Sequence, residues 1–510
     1  MSKARNVLVL LADHARHDAV ACNADPKASC SLARVVRTPN LDRLAAEGVS
    51  FRNSYTTNPI CVPARASIIT GNYPHRCTGT KGNGGTIGPD QVKMADLFGR
   101  SGYITCAIGK LHYLPYSPPG RPRLLHGFQV AELWEEGRML ARFDPAGASQ
   151  GLEDYHDYLK GVGWGGYERA HGAGNNDVHP TVSPLPAEHY ADAWVAERGV
   201  VFLRDHLSRG PDQPFLLLAS FAKPHPPYDP PRPWDSMYDP RTIPPPLGGW
   251  GSEGLLEGRD VELRRRLKIY GWDRLSPEAV QLARACYCAL MSFQDEMIGR
   301  LLGCLDELGI ADSTAVLYTS DHGDLLGDLG RFFKASMFDA AAKVPLIWRV
   351  PGVIPRDGPR TRDQLAGLHD ILPTLCALTE VALPKPVDGE DVSPILRDPD
   401  TAGRQEFLCQ TGDSPCQKYM VRTPEWKYVY CELGGTEELY DTSRADYELH
   451  NLAGNPRYEE VRARLRQRLL QWCAEHEDQQ MIRGGRLAAS SVDALPEPEF
   501  NAGAMGWRRY

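Results

Sequence analysis

No apolar stretch in the 510 residues approaches the ~18 needed to span a membrane. The run nearest the amino terminus, residues 7–12, is broken by Asp13. It is shorter than a secretory leader's core of roughly 7–15 residues, and no small-residue cleavage site follows. Long runs of one charge are also missing. The longest basic run is Arg264-Arg265-Arg266, no acidic tail is present, and 57 basic against 65 acidic side chains leave a net charge of −8. Nucleic acids and anionic membranes select clustered Lys and Arg, so neither is expected as a partner. No CxxC occurs and the thirteen cysteines are an odd number. Reduced core thiols in a cytoplasmic enzyme are therefore expected, rather than a disulfide framework or a zinc ribbon. No internal repeat is visible, and 42% hydrophobic with 24% charged residues excludes disorder, collagen and coiled coil.

What is present is an alternation of strand and helix. Short apolar runs bounded by turn residues lie at 7–12, 103–108, 215–220, 316–319 and 344–350. Runs this continuous suit strands buried on both faces of a mostly parallel sheet. Thr38-Pro39 opens one helix, with Thr38 as N-cap and Gly48 as terminator, and Ser276-Pro277 opens a longer one ending before Gly309. The fold class is thus α/β, with a large mostly parallel central sheet. Residues 113–187 and 226–273 are rich in Pro, Gly and aromatics, and read as irregular insertions that wall a substrate pocket. Trp164, Tyr228, Trp250 and Trp272 are its candidate aromatic lining.

After about residue 397 the pattern changes. Expected strands at 418–422, 426–430 and 438–440 precede a helix with Val461, Leu465, Leu469 and Trp472 on one face. The reading is a catalytic domain over 1–397 and a small α+β subdomain with antiparallel strands over 398–510. The tail from Gly484 to Tyr510 lacks periodicity. It reads as an arm able to wrap another part of an assembly, which leaves a homo-oligomer open.

Ligands in α/β sheets bind beyond the carboxyl ends of strands. Four expected strands end in polar clusters: Asp13-His14, Gly109-Lys110-Leu111-His112, Lys223-Pro224-His225 and Asp321-His322-Gly323-Asp324. Carboxylates and imidazoles converging from separate strands make a divalent-metal site. Cys61 stands at the start of a short helix, in Cys61-Val62-Pro63-Ala64-Arg65, with Gly71 ending it. There the helix dipole favours negative charge on a nucleophile, and Arg65 adds a fixed cation.

This C-x-P-x-R frame, continued by Ala66-Ser67-Ile68-Ile69-Thr70-Gly71, resembles the signature of the type I, formylglycine-dependent sulfatases of the alkaline phosphatase superfamily. A second signature resembles residues 102–112, and Thr38-Pro39-Asn40-Leu41, Ser320-Asp321-His322-Gly323-Asp324 and Glu438-Leu439-Tyr440-Asp441 are similar to the family as well. The resemblance implies an alkaline-phosphatase-like sandwich and arylsulfatase-like hydrolysis of small-molecule sulfate monoesters. It implies that Cys61 is the precursor of formylglycine, made by a formylglycine-generating enzyme. One hydroxyl of the aldehyde hydrate would attack sulfur, and the other would later expel sulfate. Arg65 would steady the hydrate, and Lys110 and Lys334 would clamp sulfate oxygens. His225 would protonate the leaving oxygen and His112 would assist sulfate release. Asp13, His14, Cys61, Asp321 and His322 would hold one divalent ion.

Two departures stand out. Residue 14 is His where most relatives carry an acidic ligand. If His14 coordinates, the site suits Mn²⁺ or Zn²⁺; if it only hydrogen-bonds, Ca²⁺ remains the family default. Val62 occupies a place where a smaller residue is usual. A phosphonate monoester hydrolase or phosphodiesterase is the nearest alternative, but those relatives usually lack the equivalents of Lys110 and His112. A catalytically silent anion-binding homologue is the other.

Overall fold

The computed structural model describes residues 5–505 apart from 146–149, 211, 252 and 356. All eight residues of strand β1 (Asn6–Asp13) are buried. It runs parallel to β5 (Phe215–Pro224) on one side and β6 (Thr314–Ser320) on the other. Its side chains alternate between two cores, which is why the sequence shows no polar alternation there. Leu8, Leu10 and Ala12 pack with helices Ala191–Arg209 and Pro277–Glu307, while Val7, Val9 and Leu11 pack with Ile68, Leu372 and Leu375 on the opposite face.

The remaining strands are β2 (Val49–Tyr55), β3 (Ile104–Gly109), β4 (Val130–Leu133), β7 (Leu346–Arg349) and β8 (Thr361–Gly367). The sheet order is β4-β3-β5-β1-β6-β7-β2-β8. Only β7 runs against its neighbours. The expected mostly parallel α/β sandwich is thus observed. Strands β2, β4 and β8 were not anticipated. They are short or carry polar residues, as in Thr361–Gly367, because they lie towards the two ends of the sheet.

The helix Pro39–Glu47 begins where Pro39 places it, but Thr38 does not cap it with its side chain. The Thr38 hydroxyl accepts the Ala21 N–H, and Asp295 takes the amides of Asn40 and Leu41 at 3.1 and 2.8 Å. A carboxylate from the long helix replaces the local cap. Ser276 does cap that long helix, accepting from Ala279 N.

A second, antiparallel sheet of order β12-β11-β10-β9 comprises β9 (Phe407–Thr411), β10 (Lys418–Arg422), β11 (Trp426–Cys431) and β12 (Thr436–Asp441). Leu465, Leu469 and Trp472 of helix Glu459–Glu475 pack on Tyr419 and Tyr428, and Val461 is half-buried at the edge of that cluster. The tail folds back on its own chain. Asn501 N donates to Ile269 O, Phe500 lies 4.3 Å from the Arg274 guanidinium, and Asn176 Nδ2 donates to Ala504 O at 3.0 Å. Its last residues, 506–510, lie outside the described residues. Among the described residues, no helix is long and apolar enough to cross a membrane.

One buried acid gives a stability prediction. Asp192 is fully buried, its Oδ1 has no hydrogen-bond partner, and burial pushes its carboxyl up to about 7. The folded protein therefore holds a proton that the unfolded chain releases near pH 4. The stability this contributes is complete below pH 4 and is lost as pH rises towards 7. Asp192→Asn is expected to raise unfolding stability at pH 8 by a few kcal/mol, with little effect at pH 4. Urea unfolding at both pH values checks this; an equal change at each would refute it.

Candidate active site

Four strands deliver their polar ends to one place. β1 ends in Asp13 and leads to His14, β6 leads to Asp321 and His322, β3 to Lys110 and His112, and β5 to His225. Gly109 makes the third of these turns feasible. Its φ is +96°, and a Cβ there would come 2.0 Å from Ser220 O, the acceptor of the Lys110 amide. His14 and His112 also have left-handed backbones, with φ of 68° and 53°. This costs a non-glycine residue roughly 1–2 kcal/mol. Carboxylates hold both: Asp321 Oδ1 accepts from His14 N at 3.3 Å, and Glu135 Oε1 from His112 N at 2.9 Å.

Cys61 is the first residue of helix Cys61–Thr70, which Gly71 ends at φ +73°. Its Sγ lies 2.7 Å from Lys334 Nζ, 3.3 Å from His322 Nε2 and 3.8 Å from Asp13 Oδ1. All thirteen cysteines are unpaired. In twelve of them burial pushes the thiol up. At Cys61 burial and Asp13 act in that direction too, but the positive charges of Lys334 and Lys110 outweigh them and hold the thiol below its ordinary value. Cys61 is thus the one cysteine whose thiol is shifted down rather than up.

Arg65, one turn on, is fully buried. Its Nε donates to Asp321 Oδ2 at 2.7 Å, and its Nη1 to Lys110 O at 2.7 Å and Ser220 Oγ at 3.0 Å. Its Nη2 lies 3.6 Å from Asp13 Oδ2. Lys110 Nζ is shared between Asp13, in a very short contact, and Glu136 Oε2 at 2.6 Å. Burial would raise the Asp13 carboxyl, but Lys110, His225 and Arg65 hold it well below the usual range. Burial pushes His322 down to about 4. Burial also holds His225 and His112 well below their ordinary values; Glu136 opposes this at His225, and Arg138 adds to it at His112.

The expected metal ligands converge, in two overlapping sets. Asp13, Cys61, Asp321 and His322 have donor atoms within 4.8 Å of one another, as do Asp13, His14, Cys61 and His225. His322 Nδ1 is engaged with Gly323 O, and His14 Nδ1 with Asp324 Oδ2 at 3.1 Å, which leaves both Nε2 atoms directed inwards. His14 Nε2 is buried with no hydrogen-bond partner. An orphaned imidazole nitrogen beside buried carboxylates fits a divalent cation. Asp324 is the residue that orients His14, and Tyr228 OH donates to it at 2.6 Å.

A cleft of about 290 Å³ opens over this centre, with Cys61, His112, His225 and Lys334 in its lining. The two irregular insertions supply its walls, Arg138, Asn175 and Asn176 from the first and Arg266 and Tyr270 from the second. None of the four expected aromatics lines it. Trp272 stacks 4.9 Å from Tyr270, Trp250 packs on Phe332, Trp164 on Tyr167, and Tyr228 is tied to Asp324. They support the walls, and Tyr270 and Phe333 form the aromatic surface. Lys223 is a loop tie, donating to Asp229 at 2.5 Å and to two carbonyls.

Glu135, Glu136 and Arg138 were not read from the sequence. They follow β4 as the other clusters follow their strands. Recognising that four-residue edge strand was the one signal available.

An eight-stranded, mostly parallel sheet with this acid–imidazole–thiol cluster at its carboxyl edge defines a hydrolase of the alkaline phosphatase type. The sulfatase family profile matches residues 5–381, and the C-terminal profile of N-sulphoglucosamine sulphohydrolase matches residues 327–475. The chain belongs to the sulfatase family, whose members are sulfuric ester hydrolases. It is 30% identical to an arylsulfatase of Clostridium perfringens over 465 residues, covering 89% of this chain and 91% of that protein. It is 30% identical to a choline-sulfatase of Rhizobium meliloti over 442 residues, covering 83% and 79%. The solved phosphonate monoester hydrolase of Agrobacterium radiobacter superposes with a TM-score of 0.78 over 92% of this chain and 96% of that one, at 24% identity. That likeness shows a shared fold.

Proposed function

We propose that the chain hydrolyses sulfate monoesters with residue 61 as the nucleophile, matured from Cys61 to formylglycine by a formylglycine-generating enzyme. The carrying observation is the setting of Cys61: alone of thirteen cysteines it is held towards its anion, at a helix N-terminus beside Lys334 and in the lining of the cleft. Asp13, Asp321, His322 and residue 61 would hold one divalent ion, with His14 Nε2 as a further donor. Bound there, the ion would supply Lewis-acid polarisation of a sulfuryl oxygen. A donor set of carboxylates and imidazoles suits Mn²⁺ or Zn²⁺ as well as Ca²⁺.

The chain's own groups do the rest. Lys334 and Lys110 place positive charge where the sulfuryl oxygens gain negative charge in the transition state. Arg65 fixes Asp13 and Asp321 against each other and keeps residue 61 in register with them. The Nδ1 of His225 is engaged by Pro226 O at 2.8 Å, which leaves Nε2 to serve the leaving oxygen. Burial disfavours the charged form of that ring, whereas Glu136 and an anionic ester beside it favour the proton it must deliver. His112, with Nδ1 unpartnered, is placed to assist sulfate release. The thirteen unpaired thiols support a cytoplasmic location.

Peptide mass spectrometry of protein from its native host is expected to show a loss of about 18 Da at residue 61. An aryl sulfate is expected to exceed the matching aryl phosphonate monoester in kcat/KM by more than about tenfold, worth ~1.4 kcal/mol. The retained Lys110 and His112 favour that order. A reversed preference would transfer the site to phosphonate ester hydrolysis.

A further inference from the structure

The walls of the cleft carry donors for which the mechanism has no use. Arg138 gives Nη1 to Glu136, in a very short contact, and to Glu135 O at 3.3 Å. Arg266 gives Nε to Glu262 Oε1 at 2.5 Å and Nη1 to Lys334 O at 2.9 Å. Among the described residues, no hydrogen bond is made by Arg138 Nε or Nη2, or by Arg266 Nη2. Both side chains reach the cleft, and 16% and 19% of their surface is exposed. A carboxylate behind each guanidinium orients it, but Glu136 is shared with Lys110 and Glu262 with Lys418, so the cleft gains directed N–H groups that keep part of their positive charge. Asn175 and Asn176 stand in the same wall, and none of the described lining residues is acidic. A pocket for a neutral or cationic leaving group would not present two guanidinium edges and no carboxylate.

We propose that the cleft selects sulfate esters whose leaving group carries a second anionic group, a carboxylate or a further sulfate, received by the open edges of Arg138 and Arg266. This rests on the sulfatase reading above and names its substrate class. The planar guanidinium matches a carboxylate with two parallel hydrogen bonds, and a sulfo group offers three acceptor oxygens to the same edges. Arg266 also holds the backbone of Lys334, so a ligand bridging to it is placed in register with the group beside Cys61.

The test compares three aryl sulfates of closely similar leaving-group acidity: 4-(carboxymethyl)phenyl sulfate, 4-(sulfomethyl)phenyl sulfate, and the neutral amide of the first. Purified, matured enzyme is expected to prefer at least one anionic ester over the amide by about tenfold or more in kcat/KM, mainly through KM. Which anion wins distinguishes the two sources. In Arg266→Gln and Arg138→Gln the preference is expected to fall below about threefold, whatever happens to the rate on the amide. The ratio is read within each variant, so a general loss of activity does not mask it. Equal turnover of all three esters by the wild type would overturn the proposal and leave the sulfatase reading intact. A preference that survived both substitutions would overturn it too. Failure to turn over any of the three would remove both.

Discussion

Cys61→Ala is expected to lower sulfate ester hydrolysis by at least about 10⁴-fold, roughly 5.4 kcal/mol of transition-state stabilisation, while the chain still folds. The side chain is 1% exposed and small, so its loss leaves little more than a methyl-sized void. Helix Cys61–Thr70 keeps its Gly71 terminator and the packing of Ala64, Ile68 and Ile69. What disappears is the side chain that faces both Lys334 and the cation site. Lys334 loses its 2.7 Å partner but remains at the cleft, where water can reach it. The measurement is kcat/KM on an aryl sulfate beside a urea unfolding curve. Activity within about tenfold of wild type would remove residue 61 from the chemistry. Lost activity with a collapsed unfolding transition would show a structural thiol instead.

Arg65→Ala is expected to destabilise the fold by about 3–5 kcal/mol and to abolish activity with it. Arg65 joins Asp13, Asp321, Lys110 O and Ser220 Oγ, and both carboxylates are fully buried. Removing the guanidinium leaves Asp321 without its ion-pairing cation and Asp13 with Lys110 alone. Arg65→Lys does not rescue this, because an ammonium cannot match the guanidinium's planar fork across three elements. Urea unfolding at pH 7 reads the loss. A divalent ion restores part of it if the two carboxylates share that ion. A change below about 1 kcal/mol would mean the cluster does not depend on Arg65.

The core of the sheet was legible because strands buried on both faces are written as uninterrupted apolar runs. β1, β3, β5, β6 and β7 follow the runs closely. The strands that escaped are β2, β4, β8 and β9; β2 and β8 are interrupted by polar residues such as Arg52, Asn53, Arg362 and Gln364, and β4 has only four residues. The polar ends of the central strands revealed most of the centre, since a cluster such as Asp321-His322 directly after an apolar run has few structural uses. Glu136 escaped for the same reason as β4. The aromatic lining was misassigned because a tryptophan in an irregular segment reads the same whether it faces a ligand or a neighbouring loop; Trp272 faces Tyr270 and Phe333. Thr38 shows that a local helix-start pattern can hold while a distant residue, Asp295, performs the capping.

The cleft is assembled from segments far apart in the chain. Arg266 and Lys334 follow residue 61 by about 200 and 270 positions, and Ala504, which holds Asn176 in the wall, is nearly the last described residue. At ribosomal speeds of about 5–20 residues per second, tens of seconds separate the emergence of residue 61 from that of its neighbours. If residue 61 is matured as proposed, an enzyme acting on the unfolded 61–71 segment would have that interval before the nascent chain buries the thiol. Slower translation of the middle third would then raise the fraction of active molecules without altering a single side chain.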